Sequence, residues 1–203
     1  MSSKQSQISS KPSDIKRIHF LDNLRKYFDI TTEDEQFILD CLTTSVYRKG
    51  TVIDCSNATA SMRLFVMKGV VRTYYLLDGK EYTYSFSFAD EFVMLPLTVT
   101  DKGVSVFVQF LRDTEVCKIA VKSMDNLSIY GSDKFHKFIN VSLINHVRYM
   151  EQMMYMLRLD AKERYKWALE KYPQILEYVS ITQLASFLNI TKETLYRIRS
   201  GKY

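Results

Sequence analysis

The sequence predicts an α+β fold: an N-terminal antiparallel β-roll of the double-stranded β-helix type with flanking helices, a long helix after it, and a C-terminal helix-turn-helix. Three observations lead to this prediction. Residues 46–121 contain several short alternating segments separated by turn signals, which is typical of an antiparallel roll or barrel. Residues 133–159 repeat apolar side chains every three or four positions, and residues 181–199 contain two short amphipathic segments joined by a tight corner.

The composition is that of a globular chain with a substantial core. Of the 203 residues 46% are hydrophobic, and 28 basic against 23 acidic residues give a net charge of +5, a mild excess that is compatible with a polyanionic partner. Cys41, Cys55 and Cys117 are far apart and lack the spacing of metal ligands or of a disulfide framework. No apolar run approaches the roughly 18 residues that span a bilayer. We therefore expect a cytoplasmic protein with no metal, no cofactor and no membrane contact.

The first part of the chain is predicted to contain a tail and two helices. Residues 1–13 are mostly Ser, Lys and Gln, which predicts a disordered tail. Apolar periodicity predicts a helix from Asp14 to about Phe28 and a second from about Glu33 to Thr43. Thr32, followed three residues later by Glu35, predicts a capping box at the start of the second helix.

A β region follows these helices and completes a predicted domain of residues 14–132. The character of the sequence changes at Ser45, after which β-branched residues alternate with polar ones. Arg63–Leu77 predicts two strands that meet near Lys68-Gly69, and Asp78-Gly79 is a strong signal for a two-residue hairpin turn.

The remaining predicted strands show strict alternation. Glu81–Phe88 carries aromatic residues on one face of the strand, and Val104–Phe110 and Val116–Val121 form the last two strands. The aromatic residues of that face are Tyr82, Tyr84, Phe86 and Phe88. The pattern predicts the strands themselves and leaves their order in the sheets open.

Residues 133–159 are predicted to form a dimerisation helix, because they carry two apolar rows. One row packs on the protein's own β domain, and a second copy of the chain is the simplest partner for the other. The alternative is a single helix lying across its own domain. The candidate interface residues, whose Met content suits an adaptable surface, are Val147, Met150, Met153, Met154 and Leu157.

Residues 160–203 are predicted to form a helix-turn-helix domain. A helix over Ala161–Lys171 carries Trp167 as a core anchor. Two short helices then meet at Asn189, a residue that tolerates the left-handed conformation needed at a sharp corner. Thr191 is a good N-cap for the second of them. An ordinary helical hairpin is the alternative.

The run Thr191-Lys-Glu-Thr-Leu-Tyr-Arg resembles the recognition-helix motif of the Crp/Fnr family of bacterial transcription regulators. In that motif Ser or Thr precedes Arg, Glu, Thr, an apolar residue, any residue and Arg. Leu184-Ala185 matches the preceding helix of the motif, and Arg164-Tyr165 with Lys171-Tyr172-Pro173 is similar to members from the Bacteroidetes branch. The likeness covers nearly all of the chain from about residue 14. It implies an effector-binding β-roll, a dimerising helix and a terminal domain that binds near-palindromic promoter DNA, with RNA polymerase as a further partner.

The resemblance also implies roles for the outer face of the second helix. Lys192 takes the place of a base- or phosphate-contacting cation, Glu193 accepts from a cytosine amino group, Arg197 donates to guanine O6 and N7, and Thr191 contacts a phosphate. Lys192 is a point charge where the family usually has the bidentate Arg, so poorer discrimination is expected there. No C-terminal wing is expected, since the sequence ends at Tyr203. The candidate DNA-contacting residues are Thr191, Lys192, Glu193, Thr194, Tyr196, Arg197 and Arg199.

The effector is not expected to be a cyclic nucleotide. Family members that bind one carry a Gly-Glu pair and then an Arg followed by Ser or Thr, whereas the corresponding residues here are Asp90, Glu91, Val104 and Ser105. The cation that would pair with the phosphate is missing and a carboxylate is added, which makes phosphate burial unfavourable. The cassette is therefore degenerate and its effector unknown. An Fnr-like iron–sulfur cluster is not expected either, because the N-terminal cysteine cluster is absent.

The sequence therefore predicts a homodimeric, sequence-specific DNA-binding transcription regulator with a degenerate cyclic-nucleotide-binding-like sensor domain. It carries no nucleophile elbow, Walker or Rossmann glycine pattern, so an enzyme is not expected. The alternative is a β-roll module that binds a small molecule or a protein and whose C-terminal helices do not read DNA specifically.

Overall fold

The computed structural model describes residues 8–10, 13–26, 29–55, 62–96, 104–120 and 133–202. The chain begins with β1 (Ile8–Ser10), α1 (Asp14–Arg25) and α2 (Thr32–Asp40). The strands that follow are β2 (Leu42–Tyr47), β3 (Val52–Asp54), β4 (Met62–Lys68), β5 (Val71–Leu77), β6 (Lys80–Ser87), β7 (Ser105–Phe110) and β8 (Thr114–Ala120). The last helices are α3 (Asp133–Arg158), α4 (Ala161–Lys171), α5 (Ile175–Tyr178), α6 (Ile181–Phe187) and α7 (Lys192–Arg199). The predicted α+β class is confirmed.

The strands form two four-stranded sheets in which every pairing is antiparallel. Their orders are β1-β2-β8-β4 and β3-β7-β5-β6. One cluster of fully buried side chains contains Val66 and Val116 from the first sheet and Val71 and Val108 from the second. The two sheets therefore pack against each other around a shared apolar core, as in a roll.

Two turns predicted from glycine positions are confirmed. Asp78 and Gly79 both have positive φ, 50° and 73°, which is the backbone of the tight hairpin turn between β5 and β6. Gly69 has a φ of 108° between β4 and β5, and a Cβ there would lie 2.8 Å from Thr114 Cα. That turn therefore needs glycine both for its conformation and for the close approach of β8.

Three predictions for the N-terminal segment are wrong. Residues 8–10 lie in the tail predicted to be disordered, yet they pair with β2, because an edge strand offers main-chain hydrogen bonds that need no apolar composition. The capping box at α2 is formed by Thr31 and Asp34 rather than by Thr32 and Glu35. The helix also ends at Asp40, before the predicted Thr43, because the next residues pair with β8.

The bounds of the long helix and of the helix after it agree with the predictions to within a residue. Asp160 separates them by forming a capping box with Glu163. Arg164 bridges this corner between α3 and α4. Its guanidinium donates to the Leu157 and Leu159 carbonyls, both at 2.9 Å, and to the Leu188 carbonyl at 3.1 Å. This side chain connects the end of α3 to the end of α6.

The C-terminal helices share a core with the β-roll. Phe86 of β6 packs edge-on against Phe187 of α6, with ring centroids 5.1 Å apart, and Phe88 stacks on Tyr172 at the same separation. Tyr84 contacts the Tyr149 ring of α3. Three members of the predicted aromatic face, Tyr84, Phe86 and Phe88, thus lie under the helices that follow the roll. The fourth, Tyr82, lies beyond a register shift in the pairing of β5 with β6 and is 42% exposed. Among the described residues, no helix is both long and apolar enough to cross a membrane.

Candidate nucleic-acid interface

Helices α6 and α7 meet at the corner that the sequence predicts. Ser180 Oγ caps α6 by accepting from the Gln183 amide, and Gln183 Oε1 accepts in turn from the Ser180 amide. Asn189 then adopts a φ of 52°, and the Ile190 amide donates back to the Ala185 carbonyl at 3.0 Å. This is how a left-handed residue closes the end of a helix. The corner therefore follows from local residue chemistry.

Helix α7 is fixed at its N-terminus and along its inner face. Thr191 Oγ1 accepts from the Thr194 amide at 3.1 Å, which confirms Thr191 as the N-cap. Leu195 is fully buried in the core shared with α4 and α6. Thr194 is half-buried, and its hydroxyl lies 3.0 Å from that of Thr191. Of the candidate contact residues, Thr194 is thus the least accessible.

The remaining candidate residues are exposed on one helix. Lys192 and Glu193 lie in the first turn of α7, Tyr196 and Arg197 one turn later, and Arg199 near the end. Tyr196 is 58% exposed although it is a large aromatic residue. Three cations, one carboxylate and an aromatic ring are consequently presented to solvent by a rigidly held helix, together with the hydroxyl of the N-cap.

Helix α6 is docked on the β-roll by polar contacts that the sequence does not reveal. Ser186 Oγ accepts from the Thr83 amide at 2.8 Å, and the Gln183 side chain donates to Gln109 Oε1 at 3.1 Å. Beneath them Arg72 is 2% exposed and donates to Thr83 Oγ1 at 2.9 Å. A buried arginine is expensive unless it is paired, and Glu81 Oε2 accepts from it at 2.6 Å.

This polar cluster on the outer face of β5, β6 and β7 has no signature in the sequence. Arg72 stands in a strand-like run, where a charged residue is normally read as solvent-facing. Its burial depends on α6, which lies more than 100 residues further along the chain. Only the tertiary contact makes this cluster a support for the helix-turn-helix.

The long helix presents one apolar row to its own chain and another to solvent. Tyr149 and Met156 are buried against the chain, and Met153 is partly buried on the core shared with α4 and α6. The other interface candidates are exposed, at fractions of 43% to 58%: Val147, Met150, Met154 and Leu157. The next apolar residues toward the N-terminus of the helix, Leu143 and Ile144, are also exposed. Exposed apolar rows of this length are typical of interaction surfaces.

The four residues of the degenerate cassette do not form one site. Asp90 accepts from His19 of α1 at 2.5 Å, and Glu91 accepts from the Phe88 amide at 2.9 Å. Asp90 and Glu91 come shortly after Ser87, which pairs with Val71 at the start of β5. Ser105, which follows Val104, pairs instead with Leu76 near the end of β5. Five residues along a strand separate the two ends by about 17 Å.

Burial raises the pKa of the Glu91 carboxyl, against the lowering effects of the Phe88 amide and of Lys171. The ionised form of Glu91 is therefore poorly solvated. Its side chain turns toward α3 and α4 and lines a pocket there.

The order and packing of these elements define a class of protein: a β-roll, a long helix and a terminal helix-turn-helix. This is the fold of Crp/Fnr regulators. FixK2 from Bradyrhizobium japonicum superposes with a TM-score of 0.60 at 23% identity, over 79% of this chain and 83% of that chain. A crp/fnr-family transcriptional regulator from Eubacterium rectale gives 0.62 at 21% identity, over 87% of each chain. The c-di-GMP-responsive regulator CLP from Xanthomonas campestris gives 0.60 at 16% identity, over 84% of this chain and 91% of that chain.

Sequence comparisons do not add to this result. No protein-family model matches the chain, and no curated protein matches it. The likeness therefore establishes the fold of this chain.

Proposed function

We propose that this protein is a homodimeric transcription regulator that binds a specific, near-palindromic DNA site through α7. The observation that carries the proposal is the outer face of α7, where exposed cations, a carboxylate and an aromatic ring lie on a helix held by the Thr191 cap and the buried Leu195. The similar structures named above are of transcription regulators, which supports this reading of the face.

The chemistry of this face fits the edges of base pairs in the major groove. The N-terminal residues of a recognition helix contact base edges, while its flanks contact phosphates. Arg197 can donate two hydrogen bonds to guanine O6 and N7, and Glu193 can accept one from a cytosine amino group. Lys192, Arg199 and the Thr191 hydroxyl supply phosphate contacts. These contacts bind the duplex regardless of its sequence.

A dimer accounts for the exposed row on α3. A symmetric copy would cover Val147, Met150, Met154 and Leu157 with the same row, and the β-roll contacts of α6 would hold each helix-turn-helix on its own protomer. Two recognition helices related by a two-fold axis read half-sites about 34 Å apart, or one helical turn. We therefore expect a near-palindromic site.

The decisive experiment is selection of binding sites from a random duplex library, followed by anisotropy titrations with variants. Arg197→Ala should cost about 1–3 kcal/mol on the selected site and relax one base position in each half-site. Lys166→Ala is the matched control, because Lys166 is an exposed cation that belongs to α4 and not to α7. Its affinity should stay close to that of the unaltered protein.

Two results would contradict the proposal. One is a library that yields no enriched sequence at physiological salt. The other is an Arg197→Ala variant that loses no more affinity on the selected site than on random DNA, which would leave only non-specific phosphate binding.

A further inference from the structure

The exposed face of α7 has a middle and two edges, and the residue types differ between them. Leu195, which is fully buried, and Ile198, which is partly buried, set the direction in which the helix packs on its own chain. At about 100° per residue, Glu193 lies within about 10° of the opposite direction, and Tyr196 and Arg197 lie about 50° to either side of it. The middle of the face therefore holds a carboxylate, an aromatic ring and a guanidinium.

Lys192 and Arg199 lie at the edges of the same face. The same rotation places each of them about 90° or more from its middle. Long, flexible cations in that position suit the phosphates on either side of a groove. Tyr196 is stiffer, since its side chain turns about only two bonds. A helix that enters the groove with Arg197 therefore brings the Tyr196 ring to the base edges as well.

The Tyr196 side chain is available for such a contact. It is 58% exposed, and among the described residues none forms a hydrogen bond, an ion pair or a ring contact with it. The helix beneath it is held by the buried Leu195 and by the Thr191 cap. The ring is therefore placed by its helix without being used by the fold, and an aromatic ring presented in this way is typical of recognition surfaces.

The base pairs differ in how their major-groove edges receive an apolar ring. Adenine, guanine and cytosine present hydrogen-bonding groups there, and covering one of these groups without a partner leaves it unsatisfied. Thymine adds a C5-methyl group, the one apolar group on these edges. The face of an aromatic ring packs on a methyl group without displacing a hydrogen bond. Thymine is therefore the base that the Tyr196 ring matches best.

We propose that Tyr196 is a specificity-determining residue that reads the C5-methyl group of one pyrimidine in each half-site, which is thymine in unmodified DNA. The inference rests on the function proposed above, in which α7 enters the major groove. Neighbouring side chains on a helix surface start about 5–6 Å apart, and base pairs are stacked about 3.4 Å apart. The thymine therefore lies within about two base pairs of the guanine assigned to Arg197. The ring makes the contact, and the phenolic hydroxyl stays in water.

The contact recognises the methyl group rather than the whole base. Uracil pairs with adenine as thymine does but lacks the methyl group, so it removes this contact and nothing else. 5-Methylcytosine carries the same methyl group at the same place in the groove, so it keeps the contact although the base pair has changed. Burial of one methyl group corresponds to about a fourfold change in Kd, or about fifteenfold when both half-sites of a dimer are changed.

The test uses the full chain and the DNA site selected from the random library, in anisotropy titrations. Each thymine is replaced by deoxyuridine, one position at a time and in both half-sites together. One position in the expected window should weaken binding about fifteenfold for the unaltered protein and for Tyr196→Phe. Tyr196→Ala should bind the two duplexes equally. With a C·G pair at that position, methylation of the cytosine at C5 should recover the same factor, except in Tyr196→Ala.

Two variants serve as controls. Arg199→Ala loses a phosphate contact on the same helix, so it should weaken binding to all duplexes by a similar factor and keep the ratio between thymine and uracil. Tyr82→Ala removes a tyrosine of β6 that is 42% exposed, and it should change neither the affinity nor the ratio.

The assignment is overturned if the selected site has no thymine in the expected window, if no uracil substitution there weakens the unaltered protein, or if Tyr196→Ala keeps the loss. It is also overturned if Tyr196→Phe binds thymine and uracil equally, because the hydroxyl would then be the reading group. A protein that selects a site through Arg197 but ignores the methyl group refutes this inference alone. A library without an enriched site refutes the proposed function and this inference with it.

Discussion

Replacing Ser186 by Ala should loosen the contact between the helix-turn-helix and the β-roll at one identifiable amide. Ser186 Oγ accepts from the Thr83 amide at 2.8 Å. β6 is the edge strand of its sheet, and the Thr83 residue is only 9% exposed. An amide that is buried without its acceptor costs about 1–3 kcal/mol. If opening is local, the lower half of that range corresponds to exchange about five to thirty times faster at Thr83.

The assay is amide hydrogen exchange followed residue by residue, with Ser180→Ala as the matched control. Ser180 lies at the other end of α6 and accepts from the Gln183 amide at 3.2 Å. Its loss should cost the helix about 1 kcal/mol while leaving the acceptor of the Thr83 amide in place. The reasoning is refuted if Thr83 exchanges at its original rate in Ser186→Ala, or if Ser180→Ala accelerates it as much.

Three further predictions follow from burial. Leu195→Ala should lower the free energy of unfolding, measured by denaturant titration, by about 2–5 kcal/mol. Tyr196→Ala should change it by no more than about 0.5 kcal/mol, because the Tyr196 side chain is 58% exposed. Met154→Glu should yield monomers in light scattering, whereas the unaltered chain should yield dimers. Leu176→Glu is the control, because Leu176 is exposed but does not belong to the long helix, and it should also yield dimers. A dimeric Met154→Glu would exclude this row of α3 as the interface. Burial raises the pKa of the Cys55 thiol to about 11, so Cys55 should resist a thiol reagent at pH 8 until the chain unfolds. Since an unfolded thiol has a pKa of about 8.5, the contribution of Cys55 to stability should fall as pH rises from there toward about 11.

The N-terminal helices show where sequence patterns lose resolution. Thr31 and Thr32 are adjacent, as are Asp34 and Glu35, so the sequence offers two capping boxes one residue apart. The structure uses Thr31 and Asp34, and Asp34 is 4% exposed. Packing around the start of the helix decides which of the two capping boxes forms, and no local pattern encodes that packing.

The outward face of β6 shows a different limit. Alternation predicts an aromatic face at Tyr82, Tyr84, Phe86 and Phe88. The last three contact aromatic rings of the C-terminal part of the chain, whereas Tyr82 is 42% exposed. Alternation cannot say whether such a face points into the roll or away from it. It points away here, because the C-terminal helices supply the apolar cover that a roll interior would otherwise provide.

The sequence by itself determines the corner between α6 and α7 and the face that α7 exposes. Asn189 and Thr191 act through contacts within about one helical turn, so their effect can be read from the order of residues. Tertiary structure alone decides what holds that face in place and what lies behind it. Arg72 meets α6 through Thr83 and Gln109, and Glu91 meets Lys171, only after segments some 74 to 103 residues apart have packed together. Contacts of that range leave no periodicity in the sequence.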